Sequence, residues 1–216
     1  PLSSKAAIKL LNKGIPTKVD ICILNQQNQQ DMVFLAMLEI GFGAKVVQFV
    51  DQLRNGGLKA LYRLWGDLVY IIAGFLALKS RERDTFKALI SQDKMATLLP
   101  PDTNNTSEFS STHCIISNMK TYAKGWSLTP EAKYDDGLLD IALSKKSNNL
   151  SIIRTFLAAT QKRKSSAPIM TYIQAKHILI SGQPTLFAQV DGDPISFTGK
   201  AEVTVEKEAF TILTQG

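Results

Sequence analysis

Apolar and polar positions alternate near the start of the chain. Val19, Ile21 and Ile23 share one parity, interleaved with Lys18, Asp20 and Cys22, which is the period of a half-buried strand. The polar run Asn25 to Asp31 reads as a hairpin loop, and the apolar run Met32 to Ile40 resumes the sheet before Gly41-Phe42-Gly43-Ala44. The period then lengthens. Leu58, Leu61, Trp65, Leu68, Ile72, Phe75 and Leu76 recur at three and four residues, which predicts one long amphipathic helix. Asn55-Gly56-Gly57 leads into it and Arg81-Glu82-Arg83-Asp84 closes it. Its apolar stripe reads as core in preference to a membrane-docking face. Beyond it lie short strands with turn signals between them: Thr112–Ser117, Leu138–Leu143, Gln174–Ile180, Leu186–Val190 and Ala201–Val205. Pro100 to Asn105 is a loop, and a short helix is expected over Leu150–Arg163. The sum is an α+β, mainly β chain: a single two-sheet β-sandwich-like domain with one long and one short helix.

Composition narrows the chemistry. The 216 residues are 44% hydrophobic and 20% charged, which is a globular balance and excludes disorder. Two cysteines, Cys22 and Cys114, exclude a disulfide scaffold and a thiolate zinc site. Two histidines, His113 and His177, argue against histidine-rich metal chemistry. The first residues lack the charged and apolar regions of a secretory signal. The longest apolar run, Leu68 to Leu78, has eleven residues, short of the about 20 that a spanning helix needs. A cytoplasmic location is the expectation. The net charge is +6 and is unevenly placed. No Asp or Glu occurs from Ile141 to Val190, a stretch carrying Lys145, Lys146, Arg154, Lys162, Arg163, Lys164 and Lys176. Such a segment suits a solvated basic face or an anionic surface. Its few aromatics (Phe156, Tyr172, Phe187) give no stacking platform, so nucleic acid is not an expected partner.

Two acidic turns carry the candidate chemistry. One is Asp135-Asp136-Gly137 leading into Leu138-Leu139-Asp140, where carboxylates and free carbonyls at a tight bend suit a hard cation such as Mg2+. The other is Val190-Asp191-Gly192-Asp193-Pro194 at a strand end, and Asp-Gly is also a hairpin turn signal. Neither turn has a nearby histidine, so a Ser-His-Asp arrangement finds no support. Phosphate loops of the G-x-x-x-x-G-K-[ST] and G-x-G-x-x-G kinds do not occur.

Taken in order, the motifs resemble a family. They are G-F-x-A at Gly41–Ala44, N-x-x-x-Y-x-x-G at Asn118–Gly125, P-x-A-x-x-D-D-G-L-L-D at Pro130–Asp140 and V-D-G-D at Val190–Asp193. This series, with the opening Ile15-Pro16-Thr17-Lys18-Val19-Asp20, is similar to the C-terminal half of diacylglycerol kinase-like lipid kinases of the YegS/DgkB type, in the wider NAD kinase and diacylglycerol kinase superfamily. The resemblance implies a C-terminal, acceptor-side domain of a two-domain kinase. The nucleotide-binding N-terminal domain and its G-G-D-G-T loop do not occur in this chain. It implies ATP as phosphoryl donor, Mg2+, a lipid hydroxyl such as that of diacylglycerol as acceptor, and work at an anionic membrane surface. The expected partners are the lipid, that surface and the N-terminal kinase domain, with a homodimer left open.

Residue by residue, the resemblance makes Asp191 the general base toward the lipid hydroxyl. Asp136 becomes a carboxylate on a structural Mg2+, with main-chain oxygens of Lys133 and Leu138. Asn118, Gly125 and Asp193 line the substrate cleft, Asp193 standing where the family commonly has Glu. The chain departs from the pattern at Gly43, where the family usually has an acid, at Ala123-Lys124-Gly125 in place of a glycine run, and at Lys133, which is acidic in some relatives. Two other readings stand beside the kinase: a non-catalytic lipid- or membrane-binding module, and a kinase for a soluble substrate of the NAD kinase type.

Overall fold

The computed structural model describes residues 3–27, 29–56, 68–79, 85–91, 106–120, 129–144 and 170–214. Helix α1 (Ser4–Lys13) starts where the Ser3 hydroxyl accepts the Ala6 amide at 3.3 Å, the usual satisfaction of a free helix-terminal donor. Strand β1 (Ile15–Gln26) turns at Gln27–Asp31 into β2 (Met32–Phe34), as the polar run predicts. Leu35 and Ala36 interrupt the apolar run, and β3 (Met37–Ile40) follows. Helix α2 (Phe42–Asn55) opens at Gly41, whose φ of 109° and closeness to the Thr112 carbonyl leave no room for a side chain. Helix α3 (Leu68–Lys79) packs against α2. Then come β4 (Phe86–Ser91), β5 (Thr106–Ser111), β6 (His113–Ser117), β7 (Leu139–Ser144), β8 (Met170–Ala175), β9 (His177–Val190) and β10 (Asp193–Thr214).

All pairings among these strands are antiparallel, and they form one curled sheet in the order β2-β1-β10-β9-β3-β6-β7-β8. Strand β9 is the fork. Its residues 177–182 pair with β4, and residues 188–190 pair with β3. The sheet therefore splits into a β4–β5 wing and a β3–β6–β7–β8 wing, and the curl brings their inner faces together. Inner-face residues of both wings and of β2, β9 and β10, among them Phe34, Leu38, Phe86, Ile116, Ile141, Ile180, Leu186 and Phe197, make one buried cluster. This is the mainly β, sandwich-like fold the strand spacing implies, with its two layers continuous through shared strands.

Some elements differ from the sequence expectation. The long helix begins within the described residues only at Leu68, and α2 precedes it where no helix was expected. The stretch Gln174–Ile180 contains a break: Lys176 turns the chain from β8 into β9. Helix α1 and strands β4 and β5 were not expected. The predicted helix over Leu150–Arg163 and six of the seven cations of the basic stretch lie outside the described residues.

Candidate functional site

Three loops and one buried strand residue meet at one corner of the sheet. Asp191 sits at the tip of the β9–β10 hairpin with φ 48°, followed by Gly192 at φ 99°. Both positions need the left-handed region, and Asp-Gly is a pair suited to such a turn. The Asp191 carboxylate does not point free. Its Oδ2 accepts the Leu35 amide at 2.9 Å, and its Oδ1 accepts those of Ala36 at 3.0 Å and Met37 at 2.8 Å. The Asp191 amide in turn donates to the Met37 carbonyl at 2.9 Å. The break between β2 and β3 is thus explained: its free amides are spent on Asp191.

Asn118 ties this connector to β1. Its amide donates to the Ala36 carbonyl at 2.9 Å, and its Nδ2 donates to the carbonyls of Leu35 at 3.2 Å and Asp20 at 3.1 Å. Asp20 completes the chain of contacts. It is fully buried. Its Oδ2 accepts the Gly137 amide at 2.6 Å, its Oδ1 accepts the Glu208 amide at 2.7 Å, and its own amide donates to the Tyr134 carbonyl at 2.6 Å. Gly137 (φ 73°) and Glu208 (φ 52°) both turn their amides inward from left-handed backbone. The β1–β10 register shifts at this point, between Val19 and Ile21 on one strand and between Phe210 and Glu206 on the other. A buried carboxylate persists when charge-assisted bonds satisfy it, and Asp20 has two.

The D-D-G turn therefore hangs on Asp20. Asp136 is half-buried, and its Oδ1 accepts the Leu138 amide at 3.0 Å in a local turn. Lys133 is exposed and Leu138 half-buried at the entry to β7. Asp193 is exposed beside the hairpin tip, opposite Val190 in the ladder. Gly125 lies outside the described residues. Contacts of Asp191, Asn118 and the Asp136 turn form one connected network, through a residue that sequence reading passed over. The available signal was an acid, Asp20, inside an otherwise apolar strand.

A hard cation fits this turn only in a carbonyl- and water-rich form. Asp136 offers Oδ2, its Oδ1 being engaged by Leu138. Among the described residues no group of three or more His, Cys, Asp or Glu could hold a metal. One carboxylate with carbonyls and water is a donor set that Mg2+ accepts.

A second polar cluster lies under the N-terminus of α2. Glu39 is buried; its Oε2 accepts Gln189 Nε2 at 2.7 Å, and its Oε1 lies 3.1 Å from His113 Nε2 without hydrogen-bond alignment. A Cβ on Gly43 would run into the Glu39 carboxylate. The buried Glu39 carboxylate occupies the space that a side chain at position 43 would take. Burial raises the thiols of Cys22 and Cys114, Asp191 and Asp20 adding to the first and Glu39 to the second. Neither cysteine is a nucleophile. A separate pair, His177 Nε2 and Glu202 Oε1, stands 2.6 Å apart and buried across β9 and β10.

The fold recurs in solved structures. A candidate diacylglycerol kinase from Bacillus anthracis str. Sterne superposes over 100% of this chain and 63% of its own, with a TM-score of 0.64 and 20% identity. A diacylglycerol kinase structure from the same organism gives 0.59 and 17%, over 100% of this chain and 60% of its own. This chain thus spans about 60% of the length of these proteins. No curated protein matches the sequence. The YegS C-terminal NAD kinase beta sandwich-like domain matches residues 36–214, from the Asp191-bound connector to the end of β10. That span holds every motif from Gly41 to Asp193, and the chain belongs to this YegS C-terminal domain family.

Proposed function

We propose that this chain is the acceptor-side domain of an ATP-dependent kinase that phosphorylates a lipid hydroxyl such as that of diacylglycerol, incomplete without a nucleotide-binding domain. The observation that carries this reading is the Asp191 tip, locked to the β2–β3 connector and linked through Asn118 and Asp20 to the D-D-G turn. Phosphoryl transfer asks a protein for position and charge stabilisation more than for covalent chemistry. A carboxylate held by three backbone amides cannot swing away from its acceptor hydroxyl. A carboxylate has roughly four acceptor positions, so Asp191 keeps about one on Oδ2 to orient the hydroxyl and take its proton. Asp193, two residues on and exposed, would line the substrate cleft and add negative charge there. Asp136, with main-chain oxygens of Lys133 and Leu138, would hold Mg2+, which supplies structural cross-linking and positive charge when bound. ATP would be held mainly by the second domain.

The test is ATP-dependent incorporation of labelled phosphate into a mixed lipid extract. It uses this chain joined to a nucleotide-binding domain of the family, with the unjoined chain alongside. Label in a lipid from the joined protein alone is the expected result. Label in a soluble acceptor would transfer the reading to the NAD kinase type. A well-folded joined protein that labels nothing would leave a lipid-binding module.

A further inference from the structure

Asn118 and Asp191 hold the β2–β3 connector by opposite ends of the same peptide groups. In the group between Leu35 and Ala36, the carbonyl accepts Asn118 Nδ2 at 3.2 Å and the amide donates to Asp191 Oδ1 at 3.0 Å. In the next group, the Ala36 carbonyl accepts the Asn118 amide at 2.9 Å and the Met37 amide donates to Asp191 Oδ1 at 2.8 Å. Both peptide planes are fixed at two points, and turning either one breaks a bond to each residue. Hydrogen bonds in series also polarise one another, so a carbonyl that accepts makes the amide of its own group a better donor. Asn118 thus reaches the Asp191 carboxylate through two peptide groups.

The two ends of the Asn118 side chain are unequal. Its Nδ2 spends both protons, on the Leu35 carbonyl and on the Asp20 carbonyl at 3.1 Å. A flipped amide would set Oδ1 against two carbonyl oxygens, so this network assigns the orientation. Asn118 is fully buried, and among the described residues its Oδ1 has no hydrogen-bond partner. A buried acceptor without a partner lowers stability. The contribution of the side chain is its donor end, and a cost at the acceptor end comes with it. Residues that break a local stability rule in this way concentrate at functional sites.

We propose that Asn118 is a positioning residue: it orients the Ala36 and Met37 amides that fix the Asp191 carboxylate, and through them sets where the acceptor hydroxyl meets its base. The proposal rests on the reading of Asp191 as that base, while its geometric half needs no phosphoryl transfer. Two measurements on Asn118→Ala and Asn118→Ser test it. The serine keeps one side-chain donor at shorter reach. Ile116→Val is the control, since Ile116 lies on the preceding strand β6 with its side chain in the apolar cluster. The first measurement is amide hydrogen exchange in the unjoined chain, resolved by NMR and referred to the amides of β7. The second is kcat and KM for lipid in the joined protein, per folded molecule.

In Asn118→Ala the Ala36 and Met37 amides are expected to exchange at least tenfold faster relative to β7, with Asn118→Ser between it and the wild type and Ile116→Val unchanged. In the joined protein, kcat is expected to fall at least tenfold in Asn118→Ala with KM little changed. Adding Asn118→Ala to Asp191→Asn should bring no further loss, because the residue acts through that carboxylate. Where Asn118→Ala does not fold, Asn118→Ser carries both measurements. Unaltered exchange of the two amides, a kcat equal to that of the wild type, or a loss that multiplies with that of Asp191→Asn would each overturn the proposal. A wild-type joined protein that labels no lipid would sink the kinase reading, and the exchange result alone would then decide whether Asn118 sets the connector.

Discussion

At the acid corner, Asp20 and Asp191 together accept five backbone amides, drawn from the β2–β3 connector, the D-D-G turn and the β10 bulge. On the α2–α3 pair, a helix without a charge from Leu68 to Leu78 buries two alanines and a valine, while Phe75 and Tyr70 are largely exposed. The two regions differ in where their interaction free energy is already committed. Turns at the corner are irregular, and irregular backbone near a core is tolerated only where its polar groups find partners. Carboxylates supply them, so the corner is self-sufficient and rigid. The helix pair has its backbone satisfied by helix formation, and its buried contacts are apolar side chains of Val50, Val69 and Ala73 with Val46, Phe49 and Leu53 alongside. Function as proposed uses the first property, a fixed acceptor site.

Asp20→Ala is the change that breaks the comparison most sharply. It strands the Gly137 and Glu208 amides in the interior, and bonds to a charged group are worth ~1.5–3 kcal/mol each, so a loss of about 3–5 kcal/mol is expected by denaturant unfolding. Hydrogen exchange should show the 134–138 turn losing protection first. Gly43→Ala comes next. The added methyl meets the buried Glu39 carboxylate, and the cost expected for overpacking is ~1–3 kcal/mol. Pairing it with Glu39→Ala should recover part of that loss, and strict additivity in the double-mutant cycle would contradict this contact as the cause.

The His177–Glu202 pair sharpens the contrast from outside the corner, because His177 Nδ1 is buried without a partner. Burial lowers the His177 imidazole below its ordinary value, with Glu202 opposing. A lowered folded value means the unfolded chain binds the proton more readily. This contribution to stability is therefore complete above about pH 6.5 and is lost as pH falls below it, by at most ~1.4 kcal/mol per pH unit. Melting temperatures at pH 7.5 and 5.5 should diverge less in His177→Gln. Asp136→Ala is the mildest. Losing its bond to the Leu138 amide should cost ~0.5–1.5 kcal/mol, and any stabilisation by Mg2+ in thermal melts should vanish with it.

Much of this was legible in the chain because period and turn chemistry are local. The strand at Val19–Ile23, the hairpin before Met32 and the strands at Thr112–Ser117 and Leu138–Leu143 recur in the structure, but β1 turns the other parity to the core: Cys22 and Leu24 are buried, and Ile21 and Ile23 only half-buried. Asp191 and Asp136 stood out because each sits in an Asp-Gly turn at a strand boundary. Asp20 and Glu39 did not, since their partners are distant in sequence: Asp20 bonds to residues 117 and 188 positions away, and Glu39 to one 150 away. In the sequence each reads as one polar residue in an apolar run. The interruption at Leu35-Ala36 was invisible for the same reason, as its cause lies at Asp191. Strand β4 was missed because the pattern Phe-Lys-Ala-Leu-Ile-Ser is apolar on one face and mixed on the other, which suits helix and strand alike, and β5 because Thr-Ser-Glu-Phe-Ser-Ser holds one apolar residue among polar ones.

Asp191 carries the central claim in two roles, as anchor of the connector and as acceptor of the hydroxyl proton. Asn at this position offers one oxygen where the connector presents three amides, so some loss of stability accompanies any loss of activity. The most direct measurement is kcat, KM and the folded fraction of Asp191→Asn, taken together on this chain joined to a nucleotide-binding domain, at a temperature where the variant is folded. The account predicts kcat lower by ~100-fold or more, the usual scale of a positioned base, with KM for the lipid little changed. Lipid phosphorylation that follows the folded fraction alone would contradict it and leave Asp191 a purely structural clasp.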